Sequence, residues 1–168
     1  MTIVDMHRGR AVPETARRHY TPAIYGSLLV TTLIAVQWRY DAVPELIALS
    51  LVASVGVFWL THVWSAVMDR RVRGPVGSHE ALGLAAAEVS MLSALVVPGL
   101  VLGLWRMASL SVDTAIGMAL VVSIAQLFLW GLAVGRAAHT GWFRAVLVGL
   151  VDCAMGVAIV IFKVLVIH

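Results

Sequence analysis

Charge is scarce in this sequence. Only 12% of its 168 residues are Asp, Glu, Lys or Arg, against about a quarter in an ordinary soluble domain. Lysine is all but missing, since eleven of the twelve basic residues are arginine and Lys163 is the exception. A lone cysteine, Cys153, excludes an internal disulfide and any cysteine-based metal motif. There is no phosphate-binding glycine loop, no Gly-x-Ser-x-Gly elbow and no His-Glu-x-x-His pair. No basic stripe with interleaved aromatics argues for nucleic acid. The loops are too short for a soluble catalytic domain, so the expectation is a protein that is not an enzyme and holds no cofactor.

What is abundant is carbon. Hydrophobic residues make up 61% of the chain, and mean hydropathy is +0.94. Charges gather in short tracts between long runs of Leu, Val, Ala, Ile, Gly and Trp. A membrane-spanning helix needs about 20 mostly apolar residues, and five runs qualify: Pro22–Trp38, Val43–Met68, His79–Trp105, Ser111–Gly135 and Trp142–Ile167. The pattern predicts an all-α fold, a five-helix membrane bundle over residues 21–168. It is preceded by an Arg-rich cytoplasmic tail at 1–20 that lacks the apolar core of a signal peptide. Punctuation fits the division. Pro44 opens the second run, "DRRVRGPVGSHE" parts the second from the third, and Ser78, Ser111 or Asp113, and Thr140 are candidate N-caps.

Arginine distribution orients the bundle. With the N-terminus inside, the inner segments hold Arg8, Arg10, Arg17, Arg18, Arg70, Arg71, Arg73, Arg136 and Arg144. The outer ones hold Arg39, Arg106 and Lys163, which is nine cations against three. Basic residues favour the cytoplasmic side, so the C-terminus is expected outside. Trp38, Tyr40 and Trp105 would anchor the outer interface, and Tyr20, Tyr25, Trp64 and Trp142 the inner one. The second–third and fourth–fifth runs form hairpins of equal orientation, a hint of parallel duplication.

Four polar residues sit inside these runs at similar depth. At 1.5 Å per residue, His62, Glu88, Gln126 and Asp152 lie about 9–15 Å from the inner ends of four different helices. Ionisable groups in hydrocarbon are costly unless they face one another or a wet cavity, so all four are expected to face the bundle interior. Thr61 and Ser65 would flank His62, and Ser123 would support Gln126. Three readings stay open: a polar clasp that fixes helix register, a path for protons or a small ion, and a metal site built from a histidine and two carboxylates. Lys163 either snorkels to the outer interface or marks the outer mouth of a path. Pro98 interrupts the third run as a fixed kink or a hinge. Gly99 with Gly103, and Gly131 with Gly135, form small-xxx-small pairs that permit close helix approach.

The stretches "VFWLTHVWSAVMDRR", "EVSMLSALVVPGL" and "WGLAVGR" resemble a group of small integral membrane proteins of high-GC Gram-positive bacteria. The likeness implies location in a bacterial plasma membrane and a multi-pass architecture, and carries over no catalytic residue. The expected function is transport or permeation, with protons or a small ion moving through the polar layer. The alternative is a non-catalytic membrane subunit that binds partner helices, a second copy or lipids; an intramembrane enzyme is the distant third.

Overall fold

A computed structural model describes residues 14–38, 43–138 and 141–166. Side-chain surroundings are described from residue 20 onward, apart from those of Lys163, Val164 and Val166. Arg8, Arg10, Arg39, Tyr40, Thr140, Ile167 and His168, and the side chains of Arg17 and Arg18, lie outside the described residues. The described residues form helices joined by short turns: α1 (Glu14–Trp38), α2 (Pro44–Arg73), α3 (Ser78–Glu88), a 3₁₀ segment (Val89–Leu95), α4 (Val96–Leu104), α5 (Val112–Ala137) and α6 (Trp142–Val166). Five stretches are long and apolar enough to cross a membrane: Tyr20–Trp38, Pro44–Arg73, Ser78–Leu104, Val112–Ala137 and Trp142–Phe162. Large apolar side chains such as Leu49, Val57, Leu60, Leu129 and Phe162 stand exposed along them. A water-soluble protein does not leave that much apolar surface uncovered, and the chain is a multi-pass membrane protein.

Local chemistry sets most of the helix ends. Val43 caps α2 in an extended conformation, and Pro44 follows at the first turn, where its missing N–H costs nothing. Ser111 caps α5, its hydroxyl accepting from the Thr114 N–H at 3.2 Å. Ser78, expected to cap, is instead the first residue of α3. The cap is Gly77, and no side chain bonds there. Gly74, at φ 158°, makes the turn out of α2 in a conformation that suits glycine alone. α1 begins at Glu14, eight residues before the apolar run at Pro22 that announced it.

The third span departs most from expectation. It is not one helix but α3, seven residues of 3₁₀ and α4. Pro98 lies buried just beyond the break. It has no N–H to offer the carbonyl of Ala94, and its ring crowds that carbonyl. The chain answers upstream by tightening, so that the Val89 N–H reaches Ala86 O and the Val96 N–H reaches Ser93 O.

α1 is the centre of the molecule. α2, the third span, α5 and α6 form an arc of successive neighbours, and α1 packs into its concave side. It is the least apolar of the five spans and the most covered, 44% buried against 17% for α2, the third span and α6. Val30 and Ile34 of α1 meet Ile47, Leu51 and Val55 of α2, Met91 and Ala94 of the 3₁₀ segment, Leu102 of α4 and Ile116 of α5. Most of this core lies toward the end marked by Trp38 and Pro44. Polar contacts close the same end: Trp38 Nε1 donates to Asp113 Oδ1 at 3.2 Å, and Arg106 pairs with Glu45 at 2.6 Å. At the opposite end Arg70 pairs with Glu80 at 2.5 Å, Arg73 pairs with Asp69, and Arg136 lies over the Trp142 ring.

α5 and α6 make the most extensive helix pair. α5 presents Ala119, Ser123, Leu127, Gly131 and Gly135 every fourth residue, all buried. A Cβ placed on Gly135 would stand 2.5 Å from Ala145 Cα, and one on Gly131 would stand 2.7 Å from Gly149 Cα. Gly99 and Gly103 behave differently, because a Cβ at either meets nothing within 4 Å. They serve no close helix contact among the described residues. Gly135→Ala should therefore cost about 1–3 kcal/mol through overpacking. Gly103→Ala should stay within about 0.5 kcal/mol. Thermal unfolding in detergent reads the difference, and equal midpoints for the two variants would contradict the packing described.

Candidate functional site

The four polar residues of equal depth do not meet at one point. His62 and Glu88 do come together, as lining residues of one cavity of about 490 Å³ between α1, α2 and α3. Gln126 lies elsewhere and bridges α5 to the third span, its Nε2 donating to Ser93 O at 3.1 Å. Asp152 lies at the α5–α6 contact, with its carboxyl over the bare face of Gly131. Depth was legible along each helix axis, but direction around the axis separates them.

The cavity is built from one face of α2. At about 100° per residue, Ala66, Asp69 and Arg73 fall within about 40° of His62, and all four line the space. Thr61 and Ser65 fall on the other flank, about 100° and 60° away. Both are exposed there, and Thr61 spends its hydroxyl on Val57 O at 2.8 Å. They do not support His62 as expected. Asp69 and Arg73 belong to the stretch "DRRVRGPVGSHE" that parts the second and third runs in the sequence, but both lie in α2, and their spacing of seven and eleven residues from His62 is the signal that they share its face.

α1 supplies Thr21, Pro22 and Tyr25, and α3 supplies Leu84, Ala87 and Glu88. The Tyr25 ring, expected to anchor at the interface, lies 5.3 Å from the His62 ring and 6.1 Å from Phe58. His62 Nδ1 is 3.0 Å from Phe58 O. A carbonyl only accepts, so Nδ1 donates in this contact and carries the hydrogen. Glu88 is half-buried. Its Oε2 is buried with no hydrogen-bond partner among the described residues.

Polar atoms continue past Glu88 along the 3₁₀ segment. Ser93 donates to Ser90 O at 2.6 Å, and Ser90 Oγ and Gln126 Oε1 are buried without hydrogen-bond partners among the described residues. In 3₁₀ geometry residues three apart eclipse, so Ser90 and Ser93 share a face. Ser123, the expected support for Gln126, is buried and bonds within its own helix to Ala119 O at 2.8 Å. Beyond this level the apolar core of Val30, Ile34, Leu51 and Leu102 intervenes. Among the described residues no three His, Cys, Asp or Glu side chains cluster so as to hold a metal ion. Lys163 sits on α6, but its side chain lies outside the described residues.

No family model matches this chain, and neither a curated protein nor a solved structure matches it.

The Gln126 bridge has a measurable worth. Gln126→Leu should lower stability by about 1 kcal/mol, the usual scale of an interhelical hydrogen bond in a bilayer. Thr61→Val, at an exposed self-bonded hydroxyl, should leave the thermal midpoint in place. Equal effects of the two would mean that Gln126 does not clasp the third span.

Proposed function

We propose that this chain is a transport-type protein of a bacterial plasma membrane that moves protons or a small ion, with His62 and Glu88 as the groups that take up the charge. What carries the reading is the half-open cavity between α1, α2 and α3, which runs from Arg73 at the helix ends inward to His62 and Glu88. A polar clasp would bury the two against each other; instead they border a common space. His62, with Nδ1 committed to Phe58 O, exchanges its proton at Nε2. Glu88 is the second exchanging group, and Ser90, Ser93 and Gln126 extend the polar track one level deeper. Asp152, packed against Gly131, takes no part. The apolar core beyond Gln126 closes the route toward the other end, so passage requires that core to part or to wet. The role is carriage of charge rather than catalysis.

In this reading the cavity opens to the cytoplasm. The N-terminus is inside and the C-terminus outside, because Arg70, Arg71 and Arg73 at the end of α2, Arg136 at the end of α5 and Arg144 at the start of α6 mark the inner face. A second reading, a membrane subunit that docks a partner helix or a second copy of itself, is favoured by Gly99 and Gly103. They stand uncovered beside exposed Val96, Leu100 and Leu104.

Two experiments test the proposal. Proteoliposomes loaded with a pH-sensitive dye should show proton flux above empty liposomes, reduced in both His62→Ala and Glu88→Gln; absence of flux in the wild type would overturn it. For orientation, in a Cys153→Ser background, Ala108→Cys should react with a membrane-impermeant maleimide on intact cells. Gly77→Cys should react only after permeabilisation, and the reverse pattern would invert the topology.

A further inference from the structure

The size and the walls of the cavity exceed what a proton or a bare ion needs. About 490 Å³ falls within the range of sites that take drug-sized organic ligands. Pro22, Ala66, Leu84 and Ala87 give it apolar wall beside the polar lining of Thr21, Tyr25 and His62. The formal charges on the lining are Asp69, Arg70, Arg73 and Glu88. Three of them are already matched: Arg73 pairs with Asp69, and Arg70 pairs with Glu80 at 2.5 Å. Glu88, at the inner end, has no ion-pair partner among the described residues, and one of its oxygens is buried and unbonded. The Tyr25 ring, 42% exposed, lines the same cavity and lies against His62.

An acid without an ion partner, set beside apolar wall, selects its counter-ion by hydration. A carboxylate there has given up water and regains the loss only by pairing closely. A small inorganic cation must shed its own hydration shell to do so. A large organic cation has little hydration to shed, buries carbon against the walls, and is attracted to the face of an aromatic ring. We infer that the cavity binds a hydrophobic organic monocation, a quaternary ammonium or phosphonium, with its charge set against Glu88 and one side against Tyr25. The inference rests on the cavity that carries the transport reading, though not on proton flux.

Tetraphenylphosphonium and tetraphenylborate test it, because they share size and shape and differ in the sign of charge. Each is equilibrated by dialysis with the purified full-length protein in nonionic detergent, with empty micelles as the baseline. The phosphonium should be retained above that baseline and the borate should not. Glu88→Gln should weaken phosphonium binding by about tenfold or more, the scale of one charge-assisted contact. Tyr25→Leu should weaken it by about three- to fivefold. Equal retention of the two ions by the wild type overturns the inference. So does a Glu88→Gln protein that is folded by circular dichroism and gel filtration yet binds as the wild type does. Should Glu88→Gln fail to fold, the comparison of the two ions and the Tyr25→Leu variant decide. Proton flux without phosphonium binding sinks this inference and leaves the transport reading standing; binding without flux does the reverse.

Discussion

α1 carries Thr21, Tyr25, Ser27, Thr31, Thr32 and Gln37 through a bilayer, and such a helix has to be covered by protein. Some of its polarity is absorbed locally, since Thr31 and Thr32 return their hydroxyls to the carbonyls of Ser27 and Leu28 at 2.8 Å. Gln37 accepts a hydrogen bond from Ser50 of α2 at 2.7 Å. The rest is met by the arc of four spans that wraps it. Where that cover is complete, around Val30 and Ile34, both are fully buried. Where it is incomplete, between α2 and α3, a cavity opens, and α1 presents Thr21, Pro22 and Tyr25 to it. The site is thus a consequence of how one helix is shielded from lipid.

Shielding requires close approach, and close approach requires small residues. Lipid tails are as apolar as leucine, so helices in a bilayer associate through packing rather than through escape from water. Gly26 lets α1 touch the 3₁₀ segment, where an added Cβ would stand 2.7 Å from Met91 O. Gly131 and Gly149 bring α5 and α6 to backbone contact, and the same absence of a side chain at Gly131 makes room for the Asp152 carboxyl. That acid is therefore tied to helix pairing. The bare face of Gly131 on the neighbouring helix is what its carboxyl lies against.

Much of this was legible in the residues. The five apolar runs emerged as five spans, Pro44 and Ser111 opened α2 and α5, and the glycines of α5 marked a real contact. Other features were not legible because they depend on azimuth, which a single sequence does not determine. Counting along an axis placed His62, Glu88, Gln126 and Asp152 at one level, but the helices turn them toward different neighbours. Gly99 and Gly103 have the same spacing as Gly131 and Gly135, yet they face outward. The unwinding of the third span was half-announced: Pro98 signalled a disturbance at its own position, whereas the chain took up the strain at Val89–Leu95, upstream of it.

That seven-residue segment also fixes how the two halves of the third span are phased. A 3₁₀ helix rises about 2.0 Å and turns about 120° per residue, against about 1.5 Å and 100° in an α-helix. Over seven residues the difference accumulates to about 3.5 Å of length and about 140° of rotation. Glu88 on one side and Leu102 on the other are thus related by a screw, not by a rigid rod. If the segment wound back to α geometry with α4 held in the core, α3 would be drawn along its axis and turned by more than a third of a revolution. The carboxyl would be carried off the face it shares with Tyr25 and His62. The thread of this screw, more than any side chain, determines which way Glu88 looks.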